Sequence, residues 1–142
     1  MTVLKRNAGA FLLAAAMAVL LCLAVTPAAH AHTGHYFYSF AKGQKSACGP
    51  VKKSNDYRYT SLSIRKSSDN VFTPVTSVLG LRVRTASGSA ASDYKKFSNY
   101  TANSKIYYRD GFGTKGSRYK LHGQVDSSSK KNLIQVWGYW TP

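Results

Sequence analysis

Arg118-Tyr119-Lys120-Leu121-His122-Gly123-Gln124-Val125-Asp126 alternates without a break. Successive side chains of a β-strand point to opposite faces, so Tyr119, Leu121, Gly123 and Val125 fall on one side and Arg118, Lys120, His122 and Gln124 on the other. The stretch reads as a strand that buries one face and turns a basic face outward. Ser77–Thr85 repeats the arrangement, with Leu79, Leu81 and Val83 toward a core and Arg82 and Arg84 away from it.

Working outward, His35–Ala41, Tyr57–Lys66, Ser104–Asp110 and Leu133–Trp140 are further strand candidates, the last with Ile134, Val136 and Trp140 on one face. Tyr94–Tyr100 is a seventh. Ser92 could instead cap a helical turn there, with Tyr94, Phe97 and Thr101 at helical spacing, but strand or loop is the preferred reading. Small polar clusters such as Ser87–Ser92 and Asp126–Asn132 read as turns, and no internal repeat is present. These features predict an all-β fold, a small antiparallel β-sandwich of about six to seven strands.

Ahead of the strands, Lys5 and Arg6 precede an uncharged run from Phe11 to Val25, and Ala29-His30-Ala31 follows. That is the pattern of a cleaved signal peptide over residues 1–31, and the run is shorter than the ~20 residues that a membrane-spanning helix needs. A secreted single domain over residues 32–142 is expected. With Lys5 and Arg6 gone, eighteen Lys and Arg remain against five Asp and no Glu, a net charge of +13. The cations run from Lys42 to Lys131 with never more than two adjacent, which describes the surface of a folded body that attracts polyanions.

Catalytic groups are scarce. Asp56, Asp69, Asp110 and Asp126 sit in or beside predicted turns, no serine lies in a Gly-x-Ser-x-Gly elbow, and His122 is the only histidine well inside the domain. These absences argue against a conventional hydrolase. Gly111-Phe112-Gly113-Thr114-Lys115-Gly116 matches the letters of a dinucleotide fingerprint. It precedes a strand where that motif must open a helix, so its glycines are assigned to a hairpin. Cys22 leaves with the signal and Cys48 remains alone, which excludes an internal disulfide in the mature chain and suggests an inert thiol.

Cleavage before His32 would expose an N-terminal histidine whose amine and imidazole can chelate copper, with His35 or His122 as a third nitrogen donor. The chain resembles the copper-dependent polysaccharide oxidases in those features only. The preferred reading of His32-Thr33-Gly34-His35 is a polar, frayed end, with no cofactor expected. Aromatic and basic residues interleave at Tyr57-Arg58-Tyr59, Tyr94-Lys95-Lys96-Phe97, Tyr107-Tyr108-Arg109 and Arg118-Tyr119-Lys120. Rings stack on sugars or bases and cations meet phosphates, although strand alternation assigns about two thirds of these rings to the core.

Ser98-Asn99-Tyr100-Thr101, the strand Ile106–Gly111, Tyr119–Gly123 and the terminal Val136-Trp137-Gly138-Tyr139-Trp140-Thr141-Pro142 carry a resemblance. Over Tyr94–Pro142 the chain is similar to uncharacterised short secreted β-sandwich proteins of Gram-positive bacteria that close on a strand ending Gly-Tyr-Trp. Those often continue into an acidic end, whereas this chain stops at Thr141-Pro142. The resemblance implies the fold and the extracellular location and transfers no catalytic residue.

The expected function is that of a cationic, non-enzymatic secreted protein that binds anionic cell-wall polymers or anionic membrane surfaces, with a bacteriocin-like antimicrobial role and no specific nucleic-acid partner. Arg82, Arg84, Arg118 and Lys120 are the expected anion contacts, with Arg109 and Lys115 at the adjoining hairpin. Two alternatives are a copper-binding oxidase built on His32, His35 and His122, and a self-assembling envelope protein joined through sheet edges or Cys48. A basic face kept for solubility alone is the bland rival.

Overall fold

A computed structural model describes residues 33–66 and 72–142. The expected signal segment, His32 and Asp69 lie outside the described residues. Nine strands and no helix occur among the described residues: β1 (Gly34–Ala41), β2 (Lys45–Ala47), β3 (Val51–Lys52), β4 (Tyr59–Ile64), β5 (Leu79–Thr85), β6 (Lys95–Phe97), β7 (Thr101–Tyr107), β8 (Arg118–Val125) and β9 (Leu133–Thr141). They form two antiparallel sheets. One runs β1-β9-β4-β7; the other runs β2-β8-β5-β6, with β3 also paired to β8.

The alternation in β5 and β8 is borne out. Leu79, Leu81, Val83 and Leu121 are fully enclosed, and Tyr119 and Val125 nearly so. Burial of each aliphatic side chain contributes about 2 kcal/mol. Facing them from the four-stranded sheet are Tyr36, Tyr38, Phe40, Leu62, Ile64, Ile134, Val136 and Trp140. The sheets meet closely at Gly123, where a Cβ would stand 2.7 Å from the Tyr38 ring, and the Tyr38 hydroxyl donates to the Leu121 carbonyl at 2.6 Å. Glycine is required there because the ring of one sheet occupies side-chain space of the other.

Three expectations are corrected. The strand count exceeds six to seven because β2 and β3, of three and two residues, are too short to show a period. Residues 111–116 form no hairpin: β7 and β8 belong to different sheets, so this segment crosses from one to the other. Tyr119 ties the crossing to the core, its hydroxyl accepting the Gly113 N–H at 2.8 Å. Finally, Phe97, Tyr108 and Tyr119 are buried, but Tyr57, Tyr59 and Tyr107 stack together outside the core. Residues 94–100 do contain a strand, and the Ser92 hydroxyl caps no helix; it accepts the Val83 N–H at 2.8 Å along the edge of β5.

Candidate anion-binding site

The outer face of the five-stranded sheet gathers the basic side chains by register. Arg82 pairs with His122 and Arg84 with Lys120 across β5 and β8. On the other flank of β8, Lys45 pairs with Gln124 and Ala47 with His122. Gly80, outward between the buried Leu79 and Leu81, leaves the space that Tyr94 enters: a Cβ on Gly80 would lie 1.5 Å from the Tyr94 hydroxyl. The Arg82 guanidinium sits over the Tyr94 ring, 5.7 Å from its centroid. Lys45, Arg82, Arg84, Tyr94, His122 and Gln124 thereby line a depression of about 320 Å³.

The lining contains no carboxylate. Every described aspartate is engaged elsewhere: Asp56 with Lys115, Asp93 with Arg109, Asp110 with Arg58 and Asp126 with Lys96. Asp126 stands near Tyr94 at the rim, where Ser128 donates to it from both its hydroxyl and its N–H. The positive potential of the depression is visible in His122. Burial, and then the charges of Arg84, Lys45 and Arg82, pull its pKa below the ordinary histidine value, so its neutral form is favoured. Burial pushes the Tyr94 phenol up and keeps it a donor.

Donors here outnumber their partners. The Nε atoms of Arg82 and Arg84 are buried without a hydrogen-bond partner, an arrangement that proteins seldom retain without a use for it, while the Tyr94 hydroxyl stands beside the Gln124 amide and the Asp126 carboxylate. Arg84 Nη1 is anchored by the Gly88 carbonyl at 2.6 Å, which fixes the guanidinium at the edge of the depression. A site rich in N–H and O–H donors and poor in acceptors is chemically matched to an oxyanion carrying several acceptor oxygens.

Of the residues expected from sequence, Arg82 and Arg84 line the depression. Lys120 lies beside Arg84, and Arg118 follows on the same face next to Lys52 of β3. Arg109 and Lys115 are not brought to the site. They belong to the crossing between sheets, where Arg109 binds Asp93 through Nε at 2.8 Å and Nη2 at 2.6 Å, and Lys115 lies 3.8 Å from Asp56. Lys45, Tyr94, His122 and Gln124 line the depression outside the expected anion contacts. Gln124 shares the alternation of β8, and a glycine between two core leucines signals close approach of another group, but nothing in the three residues of β2 marks Lys45.

The histidines do not converge. His35 projects from β1 on the outer face of one sheet and His122 from β8 on the outer face of the other, with the core between them. One ion cannot bind both, so a site that includes His32 would draw on one or the other. Cys48 is half-buried with its sulfur accepting the Leu121 N–H at 3.3 Å, and burial raises its thiol pKa. No protein-family model, curated protein or solved structure matches the chain.

Proposed function

We propose that this chain is a secreted, non-enzymatic, cationic protein that captures phosphate-bearing polymers or anionic lipid head groups of a cell envelope on the outer face of its five-stranded sheet. An antimicrobial role of the bacteriocin kind would follow from such capture. The observation that carries the reading is the depression itself, where Lys45, Arg82, Arg84 and a neutral-leaning His122 come together, the Nε atoms of both arginines unpartnered and no carboxylate in the lining. Charge spread evenly for solubility would not concentrate in this way. Lys120 and Arg118 extend the cationic row along β8, so a polymer with regularly spaced phosphates could meet several cations at once.

A site is distinguished from mere net charge by comparing two variants that lose the same charge. Lys45→Gln/Arg82→Gln/Arg84→Gln removes the lining; Lys66→Gln/Lys130→Gln/Lys131→Gln removes exposed lysines elsewhere. Binding to vesicles containing an anionic lipid and to a poly(glycerol phosphate) is measured at low and physiological salt. Each basic residue near an anionic surface contributes about 1 kcal/mol, so the lining variant loses about a hundredfold or more in affinity while the control loses little. Equal losses in both variants would contradict the site.

A further inference from the structure

The four-stranded sheet turns a different chemistry outward. Alternation along β9 buries Ile134, Val136 and Trp140 and sends Trp137 and Tyr139 to the opposite face. The register places Phe37 across from Trp137 and His35 across from Tyr139. Trp137 meets Tyr139 edge to face at 5.7 Å, and the Arg65 guanidinium lies 5.8 Å from the Tyr139 centroid. A second aromatic group stands toward the start of β4. Tyr57 and Tyr59 stack at 5.2 Å, Tyr107 approaches Tyr59 at 5.9 Å, and Lys105 Nζ lies 4.2 Å from the Tyr59 centroid. Phe37 and Tyr107 are more than half exposed, at 68% and 63%.

Between the two groups the sheet is opened. Leu62 pairs with Ser104 and Ile64 with Thr101, so β7 holds one extra residue and both Ala102 and Asn103 fall opposite Ser63. On the other flank the Ser63 hydroxyl takes the Tyr139 N–H at 3.1 Å. A cleft of about 300 Å³ results, lined by Ser61, Ser63, Asn103, Tyr139 and Thr141 with Arg65 at its side. Bulges are enriched where a sheet is adapted to a ligand.

We propose that this face binds a neutral polysaccharide strand. Pyranose rings carry apolar C–H faces and hydroxyl edges, and the face offers both complements: rings at either end and hydroxyl and amide groups between them. Tyr59 opens β4 and Arg65 follows its last residue, six positions on and bridged to Trp137, roughly 20 Å at ~3.3 Å per residue, enough for several sugars in line. Single-stranded nucleic acid also stacks on rings, but it requires cations free to follow its phosphates. Here Lys105 and Arg65 lie over Tyr59 and Tyr139, and no residue lining the cleft other than Arg65 is charged. The inference is independent of the anion site on the opposite sheet.

The test is calorimetric titration of the protein with chitohexaose, cellohexaose and oligo-dT in about 1 M salt, where the screening length of ~3 Å suppresses binding by charge. At least one oligosaccharide binds. Phe37→Ala and Tyr107→Ala, at exposed positions of the two ring groups, each weaken it about tenfold, in line with the loss of one stacked ring. Lys45→Gln/Arg82→Gln/Arg84→Gln leaves it unchanged. The proposal is overturned if neither oligosaccharide binds, if both ring variants bind as the parent does, or if oligo-dT binds through these rings more tightly than either sugar.

Discussion

The two outer faces of this sandwich arise from the same alternation and are energetically opposite. On the five-stranded sheet the register sets Arg84 beside Lys120 and Arg82 beside His122. On the four-stranded sheet it sets Phe37 beside Trp137 and His35 beside Tyr139. Aromatic cross-strand pairs stabilise a sheet by about 0.2–1 kcal/mol each, and like charges directly opposite destabilise it. The aromatic face therefore helps hold its own sheet together, whereas the cationic face is carried by the core beneath it. A surface that costs stability and leaves donors unpartnered marks where an external anion contributes most.

The comparison can be broken at its backbone. Gly138 faces inward from β9, and a Cβ there would meet the Ser63 carbonyl oxygen at 1.9 Å and the Tyr36 ring at 2.9 Å. Backbone cannot step aside, so Gly138→Ala is expected to destabilise the fold by about 3 kcal/mol in urea unfolding. Gly80→Ala looks as severe at 1.5 Å, but the obstacle is the far end of Tyr94, which can swing off the sheet. Its expected cost is about 1 kcal/mol, with the main change in anion affinity. Comparable unfolding free energies for the two variants would contradict this distinction.

Stability beside the five-stranded sheet also depends on pH, through Asp126 at the end of β8. Burial would raise the Asp126 carboxyl, but the two hydrogen bonds from Ser128 and the Lys96 ammonium outweigh it and hold the pKa at about 2 against an ordinary 3.8. A depressed carboxylate adds stability that is complete above its unfolded-state pKa and disappears as pH falls through the folded-state value. Asp126→Asn should thus be less stable by about 2 kcal/mol at neutral pH, and the gap from the parent should close between pH ~4 and ~2. Urea unfolding across that range checks it; a gap independent of pH would show that Asp126 acts through packing alone.

Much of the fold was legible because its central strands are long and alternate cleanly. Leu79, Leu81 and Val83 in β5, and Tyr119, Leu121 and Val125 in β8, were assigned to the core from period alone and are buried there. The outward placement of Arg82, Arg84 and Lys120 followed from the same period. Which outward residues meet could not be read, because that depends on strand order and on crossings between sheets. Arg109 and Lys115 precede β8 closely in sequence, yet the segment they flank changes sheets and pairs them with Asp93 and Asp56. Lys45 reaches the site from a three-residue strand, and Tyr94 reaches it only because Gly80 has no side chain.

The division of labour between faces is tested most directly by the histidines, which report from opposite sides. The pH titration of the His122 ring resonance, assigned with His122→Asn, is followed with and without poly(glycerol phosphate), and the chemical shift of the His35 ring, assigned with His35→Asn, is recorded beside it at fixed pH. An anion in the depression offsets the charges of Arg84, Lys45 and Arg82 that help hold the His122 pKa down, so that pKa rises toward the ordinary value and falls back when salt releases the polymer. The His35 ring, beyond the core on β1, keeps its chemical shift at fixed pH when the polymer is added. Equal responses from both histidines, or none from His122 while the polymer is bound, would contradict an anion site on the five-stranded sheet.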